Sequence, residues 1–145
     1  MLTAVDLAPG ADENGLAVML ADLVRQNLEA KPHKKVDFEA LEGSVAIVAD
    51  DAEVALTLRF RSGKLRIHDG IVGIPDVTIF GPSDSILALS NFPLTLGLPI
   101  PLDTEGLKTL RSVFASMRAG QFHIYGAAFH LPFVMRLTRV MSVNG

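Results

Sequence analysis

The residues best suited to metal or acid–base chemistry are four histidines and the carboxylates near them. His68 and His123 lie in segments of alternating polar and apolar residues, and Asp69 follows His68 directly. If both segments are strands of one sheet, these side chains could converge, and imidazole with carboxylate is a common ligand set for zinc. A metal centre also needs tight geometry and supporting hydrogen bonds. We therefore expect solvated histidines and neither a metal nor a cofactor.

The remaining candidates for catalysis are acidic and hydroxyl side chains. Asp50, Asp51 and Glu53 could act as paired carboxylates, although carboxylates at a hairpin tip are typical of turns. Ser83 or Ser85 with a histidine would make a small serine hydrolase, the least favoured alternative. The patterns of phosphate-binding loops, dinucleotide-binding folds, zinc proteases and nucleophile elbows are absent from the sequence. We expect no catalytic residues and no enzymatic activity.

Length and composition predict one globular domain over residues 1–145. Of the 145 residues, 49% are hydrophobic and 20% charged, and the mean hydropathy is +0.36. Such values exclude a disordered chain. The chain has no cysteine, which excludes disulfides and thiolate metal sites. The N-terminus lacks a basic signal-peptide region, and no stretch approaches the roughly 20 apolar residues of a membrane span. A soluble, cytoplasmic protein is expected.

Charge is distributed unevenly along the sequence. Residues 1–103 carry eight basic and fifteen acidic side chains, whereas residues 104–145 carry five basic and one acidic. An overall net charge of −3 argues against a nucleic-acid binder. The basic C-terminal part could attach reversibly to an anionic membrane, a transient partner, since each cation near such a surface contributes about 1 kcal/mol. The predicted membrane-docking residues are Lys108, Arg111, Arg118, Arg136 and Arg139.

Hydrophobic periodicity predicts a mixed α+β fold. Apolar residues at helical spacing predict helices over 12–29, with Asp12 as N-cap, and over 104–118 and 131–141. Shorter helices are expected near 36–41 and 83–90. Period-two patterns predict strands at 44–49, 53–61, 64–68, 77–80 and 121–125, and the first three form an antiparallel meander. Val54, Leu56, Leu58 and Phe60 should face the core, and Thr57 the solvent.

More apolar side chains are present than one sheet can cover. The surplus is concentrated in the second half of the chain, including the proline-stiffened segment 91–103, where a surface loop would normally be polar. A cavity for an apolar ligand accounts for this surplus. The predicted lipid-lining residues are Ile86, Leu89, Phe92, Leu96, Leu98, Ile100, Phe114, Met117, Phe133, Leu137 and Met141.

The order of these motifs resembles the sterol-carrier-protein-2-like, or sterol-transfer, family of lipid-binding domains over residues 16–141. The resemblance rests on the N-terminal helix, the meander, and Pro75-Asp76-Val77-Thr78-Ile79 followed by a capped helix. It also rests on Arg118-Ala119-Gly120-Gln121-Phe122-His123-Ile124-Tyr125-Gly126, which is similar to the helix–Gly–strand–Gly signature before the family's last helix. The final residues are not a peroxisomal tripeptide, which favours a bacterial-type, single-domain member.

The resemblance implies a five-stranded mixed sheet with helices over one face and an apolar tunnel between the layers. It implies non-catalytic binding or transfer of a fatty acyl, sterol-like or prenyl tail. An alternative is an accessory subunit that presents a lipid to enzymes, for example in ubiquinone biosynthesis. A homodimer or an enzyme partner is compatible with both alternatives.

Overall fold

A six-stranded mixed sheet is the centre of the fold. A computed structural model describes residues 4–88, 107, 108, 111, 112, 115 and 117–143 of the chain. The strands are β1 (Val5–Leu7), β2 (Gly43–Ala49), β3 (Val54–Arg61), β4 (Lys64–Asp69), β5 (Val77–Gly81) and β6 (His123–Tyr125). Their spatial order is β1-β4-β3-β2-β5-β6.

The predicted meander is confirmed by the pairing of the central strands. β2 pairs antiparallel with β3, and β3 pairs antiparallel with β4. Leu58 lies opposite Val45 on one side and Ile67 on the other, and all three are buried. Because side chains alternate along a strand, this row fixes one inner, apolar face for the whole sheet.

The expected number of five strands is wrong because the sheet has a sixth strand at the start of the chain. β1 pairs in parallel with β4, with Val5 opposite Leu65. At three residues, β1 is too short to show a period-two pattern, and tertiary contacts stabilise it: Val5 is buried in the core and its carbonyl accepts from Arg25 of α1 at 3.0 Å. β5 pairs in parallel with β2, and β6 pairs antiparallel with β5.

Helix α1 (Gly15–Ala30) starts later than the sequence suggested. Asp12 belongs to a preceding 3-10 turn, and Asn14 is the N-cap, with its Oδ1 accepting from the Ala17 amide at 3.1 Å. The Asn14 side-chain amide also donates to the Ala55 carbonyl at 3.0 Å and to Asp69 at 2.9 Å. Asn14 therefore begins the helix and joins it to the sheet, which Asp12 could not do.

Three further helices complete the described fold: α2 (Lys34–Ala40), α3 (Ser83–Ala88) and the C-terminal helix (Leu131–Met141). The C-terminal helix spans the predicted residues, and Pro132 occupies its first turn, where a missing N–H costs little. Within the predicted helix 104–118, the described residues 107, 108, 111, 112, 115, 117 and 118 are helical and exposed. The segment 91–103 lies outside the described residues.

The hydrophobic core joins the inner face of the sheet to α1, α2 and the C-terminal helix. Val24 of α1, Phe38 of α2 and Val140 of the C-terminal helix are buried in one cluster with Leu58 and Ile67 of the sheet. The outer face of the sheet is partly covered as well. Thr57 was expected to face solvent but is buried, because its hydroxyl donates to the Gly70 carbonyl and accepts from the Val72 amide.

Among the described residues, no helix is long and apolar enough to cross a membrane.

Candidate functional site

An apolar slot lies between the inner face of the sheet and the C-terminal helix. Its volume is about 40 Å³, and one water needs roughly 10–15 Å³ of such space. Its walls are Ile47, Leu58, Val77, Ile79, Ile86, Ile124, Val134, Leu137, Thr138 and Met141. A slot with such walls favours hydrocarbon over water.

Three of the predicted lipid-lining residues meet in this slot: Ile86 of α3, and Leu137 and Met141 of the C-terminal helix. Met117 is 39% exposed. Phe133 is half-buried and meets Phe60 edge-on, with ring centroids 6.1 Å apart. Six of the predicted residues lie outside the described part of the chain: Leu89, Phe92, Leu96, Leu98, Ile100 and Phe114.

Most of the slot's remaining walls come from predicted strands, and these strand residues were not among the predicted lipid-lining residues. Ile47, Leu58, Val77 and Ile79 show the inward positions of a period-two pattern. That pattern identifies the buried face but does not tell a packed position from one beside a gap. Their position on the inner face was nevertheless a usable signal, because a cavity between two layers is lined by both.

Polar side chains of α1 and α2 hold the end of the C-terminal helix beside the slot. The buried Asn27 amide donates to the Val140 carbonyl at 2.9 Å and to the Met141 carbonyl at 3.1 Å. Lys34 Nζ donates to the Arg139 carbonyl and, at 2.8 Å, to the Ser142 carbonyl. The last carbonyls of a helix have no partner within it, so these two side chains satisfy groups that would otherwise be buried alone.

The environment of Lys34 lowers the pKa of its side-chain ammonium group. Burial, assisted by the positive charge of Lys31, lowers the pKa of Lys34 from 10.5 to about 8, although Asp37 acts in the opposite direction. At neutral pH the ammonium group is still protonated and carries the hydrogens that it donates. The C-terminal helix is thus capped by a cation at its negative end, a favourable arrangement for the helix dipole.

Comparisons with known proteins agree with this arrangement at the level of the fold. No family model matches the chain, and no curated protein matches it in sequence. A solved structure described as "UbiJ-SCP2 Ubiquinone synthesis protein" is 14% identical, with a TM-score of 0.56, over 86% of this chain and 90% of its own. The chain has an SCP2-like fold.

Two other solved structures overlap less well with this SCP2-like chain. A crystal structure of sterol carrier protein 2 has 15% identity and a TM-score of 0.49, over 85% of this chain and 91% of its own. A solution structure from Thermus thermophilus, described as possibly a sterol carrier protein, has 14% identity and a TM-score of 0.45, over 85% of this chain and 82% of its own.

The predicted docking cations have different environments in the SCP2-like fold. Lys108, Arg111 and Arg118 are exposed on their helical segment. Arg139, in contrast, donates to both carboxylate oxygens of Asp37, at 3.0 and 3.1 Å. Arg136 lies 3.9 Å from the same carboxylate. The two arginines of the C-terminal helix therefore contribute to its attachment to α2.

The histidines and serines considered for chemistry are not brought together. His68 on β4 and His123 on β6 are four strand spacings apart in the sheet, or roughly 19 Å. Ser83, at the start of α3, donates its hydroxyl hydrogen at 2.7 Å to Asp51 in the turn between β2 and β3, so its described partner is a carboxylate. Within the described residues, no group of three potential metal ligands is present.

Proposed function

We propose that this protein binds the apolar tail of a lipid and carries or presents it without catalysing a reaction. The supporting observation is the apolar slot between the sheet and the C-terminal helix, in a chain with an SCP2-like fold. An acyl, sterol-like or prenyl tail would enter the slot while its polar head stays in water. Among the ten described slot residues, Thr138 is the single polar one, and its hydroxyl donates to the Val134 carbonyl at 2.9 Å.

Burial of hydrocarbon supplies the binding energy in this proposal. Each methylene group removed from water contributes about 0.8 kcal/mol, so affinity should rise with chain length until the cavity is filled. The described slot has room for part of a chain. The segments that contain Leu89, Phe92, Leu96, Leu98, Ile100 and Phe114 would supply the rest of the lining, as the sequence predicts.

A second candidate is an accessory subunit that holds a prenylated substrate for enzymes. It is supported by the likeness to a structure described as a ubiquinone synthesis protein. Both candidates require the same apolar cavity. They differ in that an accessory subunit forms a stable complex with an enzyme, whereas a carrier is isolated with lipid alone.

Native mass spectrometry of the purified protein, followed by lipid extraction, tests the proposal. We expect a bound species whose mass matches a lipid with a long apolar tail, and displacement of a fluorescent fatty acid by that lipid. A purified protein that carries no lipid and does not bind the fluorescent fatty acid would exclude both candidates.

A substitution that fills the slot tests its location. Val134 is half-buried and lines the slot, so Val134→Phe should reduce lipid loading or shorten the chains that bind. Val36→Phe is the matched control, because Val36 is 75% exposed on α2 and lies outside the slot. Equal lipid loading and chain length in the two variants would place the ligand elsewhere.

A further inference from the structure

Two cross-strand pairs on the outer face of the sheet bring like charges together. Arg59 of β3 lies opposite Arg66 of β4, and Arg61 lies opposite Lys64. All four side chains are exposed, and at alternate positions they share one face. Directly opposite side chains have Cβ atoms about 4.5–5.5 Å apart, and like charges at that spacing destabilise a sheet. We call this cluster of four side chains the outer cationic patch. Its like-charged pairs do not stabilise the sheet.

Acidic side chains lie near the patch. Within the described residues, none of the four cations forms an ion pair. Asp76 and Glu42 line the same cleft as Arg59 and Arg61, and they accept the Ser44 and Ser62 amides, both at 2.9 Å. Asp6 lies opposite Arg66 on β1 and is the remaining acidic neighbour in the strand register.

His68 lies on the same face as the patch, and the charges of two of its arginines affect the pKa of His68. Burial, and then the charges of Arg66 and Arg59, lower the pKa of His68, against a smaller opposing effect of Asp6. The two arginines thus act on a third group on the same face, and the nearby Asp6 does not cancel them.

A protruding apolar side chain borders the patch. The crossover loop, residues 70–76, joins β4 to β5 across the outer face and is fixed at Thr57 and at Ser44. Ile74 of this loop is 94% exposed and lines an open cleft together with Arg59 and Arg61.

We propose that the outer cationic patch, with Ile74, is a docking surface for an anionic phospholipid membrane. Cations attract the headgroups, and a protruding apolar side chain enters the boundary between headgroups and acyl chains. A second copy of the chain is the less suitable occupant, because a two-fold interface would place this cationic patch against itself. The surface goes beyond lipid binding in the slot, and it can fail while the slot still holds a lipid.

Co-sedimentation with vesicles tests the docking surface. The probes are vesicles of phosphatidylcholine and phosphatidylserine in equal parts, and vesicles of phosphatidylcholine alone. Arg59→Gln with Arg66→Gln should weaken binding to the anionic vesicles about 30-fold, since each cation near such a surface contributes about fivefold. Removing one like-charged pair should leave the melting temperature unchanged or raised, so a loss of binding is not a loss of fold.

Two further variants separate this surface from other sources of binding. Lys108→Gln with Arg111→Gln removes the same charge from two of the docking residues predicted from the sequence, and if the outer cationic patch is the docking surface it should weaken binding less than Arg59→Gln with Arg66→Gln does. Ile74→Ser should weaken binding several-fold at both low and high salt, because its contribution is apolar and salt screens only charges.

Three results would overturn the proposal. The first is wild-type affinity in the Arg59→Gln, Arg66→Gln variant, and the second is equal binding to both kinds of vesicle. The third is a loss of binding confined to the Lys108→Gln, Arg111→Gln variant, which would move docking to the C-terminal part. If the outer patch instead binds a second copy or another protein, vesicle affinity stays at the wild-type value in the first variant.

Discussion

Replacing Asn27 by leucine should loosen the C-terminal helix, because one side chain satisfies two of its last carbonyls. Asn27 is 5% exposed, and its amide donates to the carbonyls of Val140 and Met141. A buried polar group that loses its partner costs about 1–3 kcal/mol. Leucine has a similar size and recovers part of this loss as apolar burial. We expect the free energy of unfolding to fall by about 2–4 kcal/mol.

Urea denaturation followed by circular dichroism measures this change, with a lower midpoint and an unchanged slope. For a domain of this size, each kcal/mol lowers the melting temperature by about 2–4 °C, so a fall of about 4–16 °C is expected. Gln26→Leu is the matched control, since Gln26 is the exposed neighbour on the same helix, and it should stay within about 0.5 kcal/mol of wild type. If Asn27→Leu is equally harmless, the hydrogen bonds of Asn27 do not hold this helix.

Three other predictions concern protonation, backbone conformation and the histidines. Because the pKa of Lys34 is lowered from 10.5 to about 8, the unfolded chain binds more protons than the folded chain between these pH values, and stability contributed by this group rises with pH there. Lys34→Met should lack that rise in a series of melting curves, and a constant difference from wild type would contradict the shift. Gly126→Ala should destabilise more than Gly70→Ala, measured by urea denaturation. Both have positive φ, which costs alanine about 1–2 kcal/mol, but a Cβ overlaps a carbonyl only at Gly126; equal losses would argue against this close approach. His68→Ala and His123→Ala should each retain fatty-acid binding within about twofold, whereas bound zinc that survives chelation would show that the histidines serve a metal.

The central strands were predictable from sequence because one side of each is buried. Leu56, Leu58 and Phe60 are inward at every second position, as the alternation required, and all are buried. β1 could not be found in this way, because three residues carry too short a pattern and its stability comes from contacts with β4 and α1. Thr57 was misassigned because the crossover loop buries it. Local periodicity carries no information about such a tertiary contact.

The slot was only partly predictable for a related reason. Leu137 and Met141 were identified from the apolar face of a helix, and the structure places them at the slot with Ile86. The strand residues across the slot have the same pattern as fully packed neighbours. Similarly, Asn27 lies within the helix predicted over 12–29, and it is buried on α1. Its pairing with carbonyls of the C-terminal helix could not be read from a sequence separation of more than 100 residues.

The attachment of the C-terminal helix has a consequence for how the protein folds. The bonds from Asn27, Lys34 and Asp37 reach residues 102 to 114 positions further along the chain. Contacts of such separation form slowly, because a long loop must close before any of them is gained. The meander β2, β3 and β4, whose strands are joined by short turns, should assemble first and leave its inner face uncovered. An unloaded protein would pass through this uncovered state during synthesis and again whenever the helix detaches by local opening. A hydrophobic cargo present at that moment would meet a half-built cavity and be enclosed as the helix closes over it.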